Sequence, residues 1–463
     1  MNQNAFVSPD EIRGRFSLAM SAMYQSEVPL YGELLDLVGR VNRRVLDEHP
    51  PLAEVLRASG DLQRLEEERH GAVRLGTAQE LATMARLFAV MGMQPVSYYD
   101  LACAGVPVQA TAFRAVDEAS LERSPFRVFT SLLRLELIDN PALRQQAAEI
   151  LAGRQIFTAQ ALAMIEQFER AGGLTEEQAG VFIREALQTF RWHRQARVSA
   201  EVYQQLQAQH RLIADVVAFQ GPHINHLTPC SLDIDAVQAG MPARGMQAKE
   251  LVEGPPARRC PILLRQTSFK ALDEAVQFGC GTPGWHSARF GEIEQRGAAL
   301  TARGRALYDL LLGAARERCR DVPPAEYPQA YELALQQCFA DFPDDFEVLR
   351  REGLVYGRYQ VTDAGRAARH EVCLAGDLEA LLAAGLLRWQ PQLYEDFLPV
   401  SAAGIFQSNL GDSTRDAYDQ SASRAEFERA LGRPVLDEMA LYARTQQASL
   451  AACAQELGLP SLG

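Results

Sequence analysis

Apolar positions between Glu68 and Ile138 change period in a fixed order. ERHGAVRLG alternates with period two and predicts a strand, with His70, Ala72 and Arg74 on one face. TAQELATMARLFAVMG then moves to the helical period, with Leu81, Met84, Leu87, Phe88 and Met91 on one side. Thr77 opens that helix and Glu80 stands three residues on, a capping-box spacing. MQPVSYYDL, VPVQATAFRAV and PFRVFTSLLRLELI return to strand-like patterns. The order is β-α-β-β-β. From Gly221 it recurs more faintly: HINHLTPCSLDI as strand, DIDAVQAGM as short helix, then MQAKELVEG, CPILLRQTSF and SARFGEIEQRG as strands.

Two such modules can pair their sheets around a lined cavity, which leaves fewer exposed edges. The expected class is therefore α+β, with two β-α-β-β-β modules forming a central half-open barrel. Residues 1–63 predict an N-terminal helical region, in which Ser8 precedes Pro9, Asp10 and Glu11 as a start signal. The first module is expected over 64–139, a helical insertion over 140–219 and the second module over 220–300. A mainly helical region over 301–463 is expected to close the site. Within it, DFLPVSAAGIFQSNLG offers small residues around Val400 and Ser401, where backbone amides can approach a ligand.

Composition narrows the function classes. The chain has 463 residues, 47% hydrophobic and 23% charged, as in an ordinary globular protein. Its formal net charge of −13 argues against nucleic acid as a partner. It also means that an anionic substrate needs local positive charge. The cysteines form no C-x-x-C pair and read as reduced thiols. No signal pattern and no spanning apolar run is present, so the expectation is a cytoplasmic chain without a membrane partner.

Candidate chemistry falls on corresponding strands. His70 and His226 lie on the first strand of each module, and Glu292 and Glu294 on the last strand of the second. Two imidazoles and one carboxylate with open positions suit non-haem Fe(2+) and oxygen chemistry. Glu292 and Glu294 share a parity, so alternation leaves both open, whereas His223 has the opposite parity to His226 and is the weaker ligand. The remaining histidines, His49, His193, His210, His286 and His370, read as hydrogen-bonded structural residues. Arg74 shares the His70 face and is a natural clamp for a carboxylate, although a core acid would also satisfy it. Thr228, Gln266 and Ser268 are candidates for polar lining.

Taken in order, ERHGAVRLGT, GPHINHLTPCSLDID, ARFGEIEQRG and DFLPVSAAGIFQSNLG resemble the 2-oxoadipate dioxygenase/decarboxylase family. That family is distantly similar to hydroxyphenylpyruvate dioxygenase, of the vicinal oxygen chelate superfamily. The resemblance implies iron ligands at His70, His226 and Glu294, and substrate contacts at Arg74 and around Val400. The distant relatives' spacing before a Gln-Arg pair would choose Glu292 as the carboxylate instead. The implied reaction takes 2-oxoadipate and O2 to 2-hydroxyglutarate and CO2, as in lysine breakdown, with a 2-oxo dicarboxylic acid and O2 as the only small-molecule partners. Two rivals are an oxygen-independent metal-dependent lyase or isomerase of the same superfamily and a non-catalytic dicarboxylate-binding protein.

Overall fold

The computed structural model describes residues 6–58, 62, 64–102, 105–279, 281–320, 327–368, 377–398 and 417–462. Val400 and Ser401, expected at the site, lie outside the described residues, as do Cys103, Cys280, His370 and Cys373. The chain divides into two units. One comprises Met1–Glu253, Gln266–Gln295 and Phe397–Leu436, and the other Gly254–Arg265, Arg296–Asp396 and Asp437–Gly463.

In the first unit, β1 (Glu68–Leu75), the helix Ala78–Val90, β2 (Gln94–Asp100), β3 (Val108–Arg114) and β4 (Arg127–Leu133) follow in the order that the periodicity predicts. A short helix, Glu118–Arg123, interrupts the chain between β3 and β4. Every residue of β3 and β4 is buried, the polar Gln109, Thr111, Arg114, Arg127, Thr130 and Ser131 included. β5 (His226–Pro229) joins these strands in one sheet of order β2-β3-β4-β1-β5. β1 therefore lies between β4, to which it is parallel, and β5, to which it is antiparallel. Both of its edges are bonded, so its side chains are held in fixed positions.

The helices meet their sequence signals at atomic detail. Ser8 accepts from the Glu11 amide, and the helix Pro9–Glu27 buries Ile12, Phe16, Met20 and Tyr24 at four-residue intervals. The Tyr24 hydroxyl lies 2.9 Å from the Asn225 carbonyl and 2.7 Å from that of Phe290, so this helix ties the approach to β5 to the segment before Glu292. Thr77 caps the helix Ala78–Val90 as its position predicts. The Glu80 carboxylate does not return to the Thr77 amide. It accepts from Gly76 N at 2.7 Å and is held by Arg154 at 2.7 and 2.8 Å, so it fastens the end of β1.

The second half departs from a copy of the first. The helix Ile234–Gly240 follows β5 as expected, but MQAKELVEG forms no strand. Its contribution to pairing is the isolated bridges Ala248 to Phe269 and Glu253 to Gln266. Gly254 explains the break: its φ is +105°, and a Cβ there would fall 2.1 Å from the Leu264 carbonyl oxygen. β6 (Leu264–Ser268) pairs with β9 (Glu292–Arg296). Between them stands an unpredicted hairpin of β7 (Asp273–Phe278) and β8 (Thr282–Ser287), whose turn has Gly279 and Gly281 at φ of 33° and 89°. Cys230 and Glu294 form a parallel bridge, which ties the end of β5 to β9. Among the described residues the strands close no barrel.

The helices Pro141–Ala152, Ala159–Ala171, Glu176–Gln188, Ala200–Gln209 and Arg211–Ala218 fill the stretch read as helical between the modules. Thr175 and Gln178 form a complete capping box there.

The second unit is mainly helical. The helices Ala302–Arg318, Pro328–Phe339 and Glu438–Leu457 accompany a ribbon of β10 (Gly357–Val361) and β11 (Leu387–Pro391). Tyr359, Val361, Leu381, Leu387, Cys453 and Leu457 form a core of their own in this unit. Among the described residues, no helix is long and apolar enough to cross a membrane.

Candidate metal centre

The β1–β5 register brings the two histidines together. Thr228 stands opposite His70 and His226 opposite Ala72, so His70 and His226 are diagonal neighbours on one sheet face. Their rings lie 5.4 Å apart, edge to face. β9 supplies the carboxylates. Glu292 Oε1 is 2.9 Å from His70 Nε2 and 3.7 Å from His226 Nε2, and Glu294 Oε2 is 2.9 Å from His70 Nδ1. His70, His226, Glu292 and Glu294 are all buried, with at most 1% of any of these side chains exposed.

One ligand atom each from His70, His226 and Glu292 fall within 4.8 Å of one another, the group of metal-ligating side chains found among the described residues. Glu294 belongs to the opposite nitrogen of the same imidazole. Both carboxylates thus point at His70, as their common parity allows, and they meet different atoms of it.

The donor set fits a cation. Both ring nitrogens of His226 and Glu292 Oε2 are buried without a hydrogen-bond partner among the described residues, an expensive condition for polar atoms unless a ligand completes them. Burial pushes His226 down to about 3 against the pull of Glu292, so its ring is neutral at pH 7 and has a lone pair to give. As a metal ligand, His70 would have a single N–H for its two carboxylate contacts. With that proton on Nδ1, donated to Glu294, the Nε2 lone pair faces Glu292 Oε1, an arrangement that a shared metal ion would satisfy.

Polar and aromatic neighbours fix the carboxylate and dry the site. Thr228 Oγ1 lies 3.2 Å from both His70 Nε2 and Glu292 Oε1, and Gln266 Nε2 donates to Glu292 Oε1 at 2.7 Å. Gln266 Oε1 and the buried Ser268 hydroxyl have no hydrogen-bond partner among the described residues. Phe290 packs 4.8 Å from His226, and Phe397 stands edge-on to His70 at 4.7 Å.

Arg74 is paired with an acid, as the alternative reading of the sequence allows: Nη1 donates to Asp215 Oδ2 at 2.6 Å. Asp215 sits on the inserted helix Arg211–Ala218, and no pattern on that helix marks it. His223 belongs to the same cluster, 3.3 Å from Asp215 Oδ1. Burial pushes His223 down to about 3. Lys249 was also missed by sequence reasoning. Its Nζ lies 5.6 Å from the Phe290 ring centroid, and burial pushes it down to about 7 against Glu292 and Glu253. A lone lysine in an apparent strand gives no signal of its own.

Comparison with known proteins supplies relatives. A family model described as 2-oxoadipate dioxygenase/decarboxylase matches residues 16–409. A curated protein of that name from Pseudomonas putida is 61% identical over 464 residues, covering the whole of both chains. Its namesake from Escherichia coli is 56% identical over 96% of this chain and 98% of its own. Among solved structures, hydroxyglutarate synthase from Pseudomonas putida in complex with 2-oxoadipate superposes with a TM-score of 0.93 at 61% identity, covering 98% of this chain and 100% of that one. An uncharacterized protein from Shigella flexneri gives a TM-score of 0.87 at 52% identity, over 97% and 99% of the two chains.

Proposed function

The chain belongs to the 2-oxoadipate dioxygenase/decarboxylase family, and from that premise we propose that it converts 2-oxoadipate and O2 to 2-hydroxyglutarate and CO2 at an Fe(2+) ion held by His70, His226 and Glu292. The observation that carries this reading is the buried, hydrogen-bond-deficient set of His226 and Glu292 beside His70 Nε2. The family and its structural relative bound to 2-oxoadipate then supply the substrate class. We infer that Glu292 is the third ligand and that Glu294, expected from the resemblance as the ligand, instead orients His70 through Nδ1. What supports this division is that Glu292 lies near the Nε2 atoms of both histidines, at 2.9 and 3.7 Å.

Bound there, the ion supplies Lewis-acid and redox chemistry to a 2-oxo acid and dioxygen. The protein's own groups do the rest. Thr228 and Gln266 hold Glu292 in one rotamer. Glu294 keeps the His70 proton on Nδ1 and so leaves Nε2 free to ligate. Phe290 and Phe397 exclude water from the ring faces. Arg74, four residues along the His70 face, takes the distal carboxylate of the substrate and aims its chain. The superfamily's half-open barrel is kept as a proposal, supported by the Cys230–Glu294 bridge that links β5 to β9. The proposal also keeps a cytoplasmic place in lysine breakdown.

Oxygen uptake by the iron-reconstituted protein with 2-oxoadipate tests the function. One CO2 and one 2-hydroxyglutarate per O2 consumed is the expected result. Turnover without oxygen would instead favour the lyase reading, and binding without turnover a dicarboxylate-binding protein.

A further inference from the structure

A buried polar network reaches Arg74 from outside the metal centre. Asp215 Oδ2 accepts from Arg74 Nη1, and its Oδ1 lies 2.9 Å from His286 Nε2. A carboxylate can only accept, so His286 donates from Nε2. His286 Nδ1 meets the Tyr203 hydroxyl at 2.8 Å. Asn225 Nδ2 is 3.5 Å from Asp215 Oδ2 and 3.1 Å from His223 Nε2. Trp192 stacks on His286 with the planes 10° apart and meets His223 edge-on. Asp215 is thus held from the segment before β5 and from β8 as well as by β1, and the helix Ala200–Gln209 reaches it through His286.

This arrangement is more than neutralisation of a buried arginine. Only Nη1 of Arg74 is used; its other guanidinium nitrogens make no hydrogen bond among the described residues. The side chain is one-tenth exposed and springs from the strand face of His70. An arginine fork pinned at one end presents its free edge in a set direction, which lowers the ordering cost of gripping a carboxylate. Burying a network of this kind is costly in itself, and specifying one geometry is its best-attested use.

We propose that Asp215, held by His286 and Tyr203, is a positioning residue that aims Arg74 at the distal carboxylate of the substrate, and so sets the preference for dicarboxylic 2-oxo acids. The proposal rests on the function given above, in which Arg74 takes that carboxylate.

The test is a double-mutant cycle on the iron-reconstituted, anaerobic protein. Affinities are measured for 2-oxoadipate and for 2-oxohexanoate, which carries a methyl group in place of the distal carboxylate. Asp215→Asn is expected to weaken 2-oxoadipate binding by about 10- to 100-fold, to leave 2-oxohexanoate binding and iron content unchanged, and to have little further effect in an Arg74→Ala background. Tyr203→Phe keeps the ring and removes the hydroxyl. It is expected to cause a smaller loss with the same selectivity, and it tests the idea even if Asp215→Asn folds poorly. Additive losses in the cycle, equal losses for both acids, or no loss in either variant would overturn the proposal. Because binding is read without oxygen, lack of turnover by the wild-type protein counts against the function alone.

Discussion

The His70 imidazole lies between two carboxylates on one strand, which meet different nitrogens of its ring. Glu292 shares Nε2 with the space that His226 also faces, while Glu294 takes Nδ1. Iron content should separate them. Glu292→Gln is expected to leave the purified protein without stoichiometric iron, whereas Glu294→Gln should retain it with affinity weakened about 10- to 100-fold, as for other partners of metal-bound histidines. Equal iron loss in both variants would contradict this division. That His70, His226 and the carboxylate pair share one place was suggested in the sequence by the family resemblance and by their matched positions in two similar units, and they do lie together. The choice between Glu292 and Glu294 was not, since equal parity sends both to the same ring and only the third dimension shows which nitrogen each meets. Asp215 was illegible for a related reason: on a helix that is buried almost all round, an acid has no periodic signature, and its partner Arg74 lies far away in sequence.

Strands transmit this geometry from element to element. Gly71 follows His70 on the opposite face of β1, and a Cβ there would fall 2.7 Å from Ile224 Cδ1 and 3.1 Å from Leu227 Cδ2. Those side chains flank His226, so the missing Cβ lets β5 close against β1. Gly71→Ala is expected to lower stability by about 1–3 kcal/mol through overpacking, and to weaken iron binding as β5 shifts. A thermal melt and an iron titration check it, and an unchanged melting temperature with full iron affinity would sink the idea. The first module was readable because its strands are long, apolar and separated by capped turns. The second was misread where short-range pattern and tertiary pairing part company. MQAKELVEG alternates like a strand, yet Gly254 turns the chain away before a ladder can form. The β7–β8 hairpin carried its signal in Gly279 and Gly281, but its exposed alternating positions lack the apolar run of a core strand.

For the molecule as a whole, buried histidines set a pH dependence. His223 has a folded pKa of about 3 against an ordinary 6.5, and burial also lowers His193 and His210. Between those two values the unfolded chain binds a proton at His223 that the folded chain refuses, so stability is full above about pH 6.5 and falls as the pH drops toward 3. Each such group contributes a slope of up to about 1.4 kcal/mol per pH unit. His223→Asn should flatten the fall in melting temperature between pH 7 and about 5; an unchanged slope would show that His223 is protonated in the folded protein. The net charge of −13 was informative at this scale too, because it makes an anionic substrate depend on local cations such as Arg74. The central claim is that this chain is a dioxygenase acting on 2-oxoadipate, and it is tested most directly by turnover under isotopically heavy dioxygen with mass analysis of both products. The account predicts both heavy atoms in 2-hydroxyglutarate, one in the new carboxylate and one in the hydroxyl, with CO2 derived from the substrate's own carboxylate. Unlabelled 2-hydroxyglutarate, or product formed at the same rate without oxygen, would contradict it.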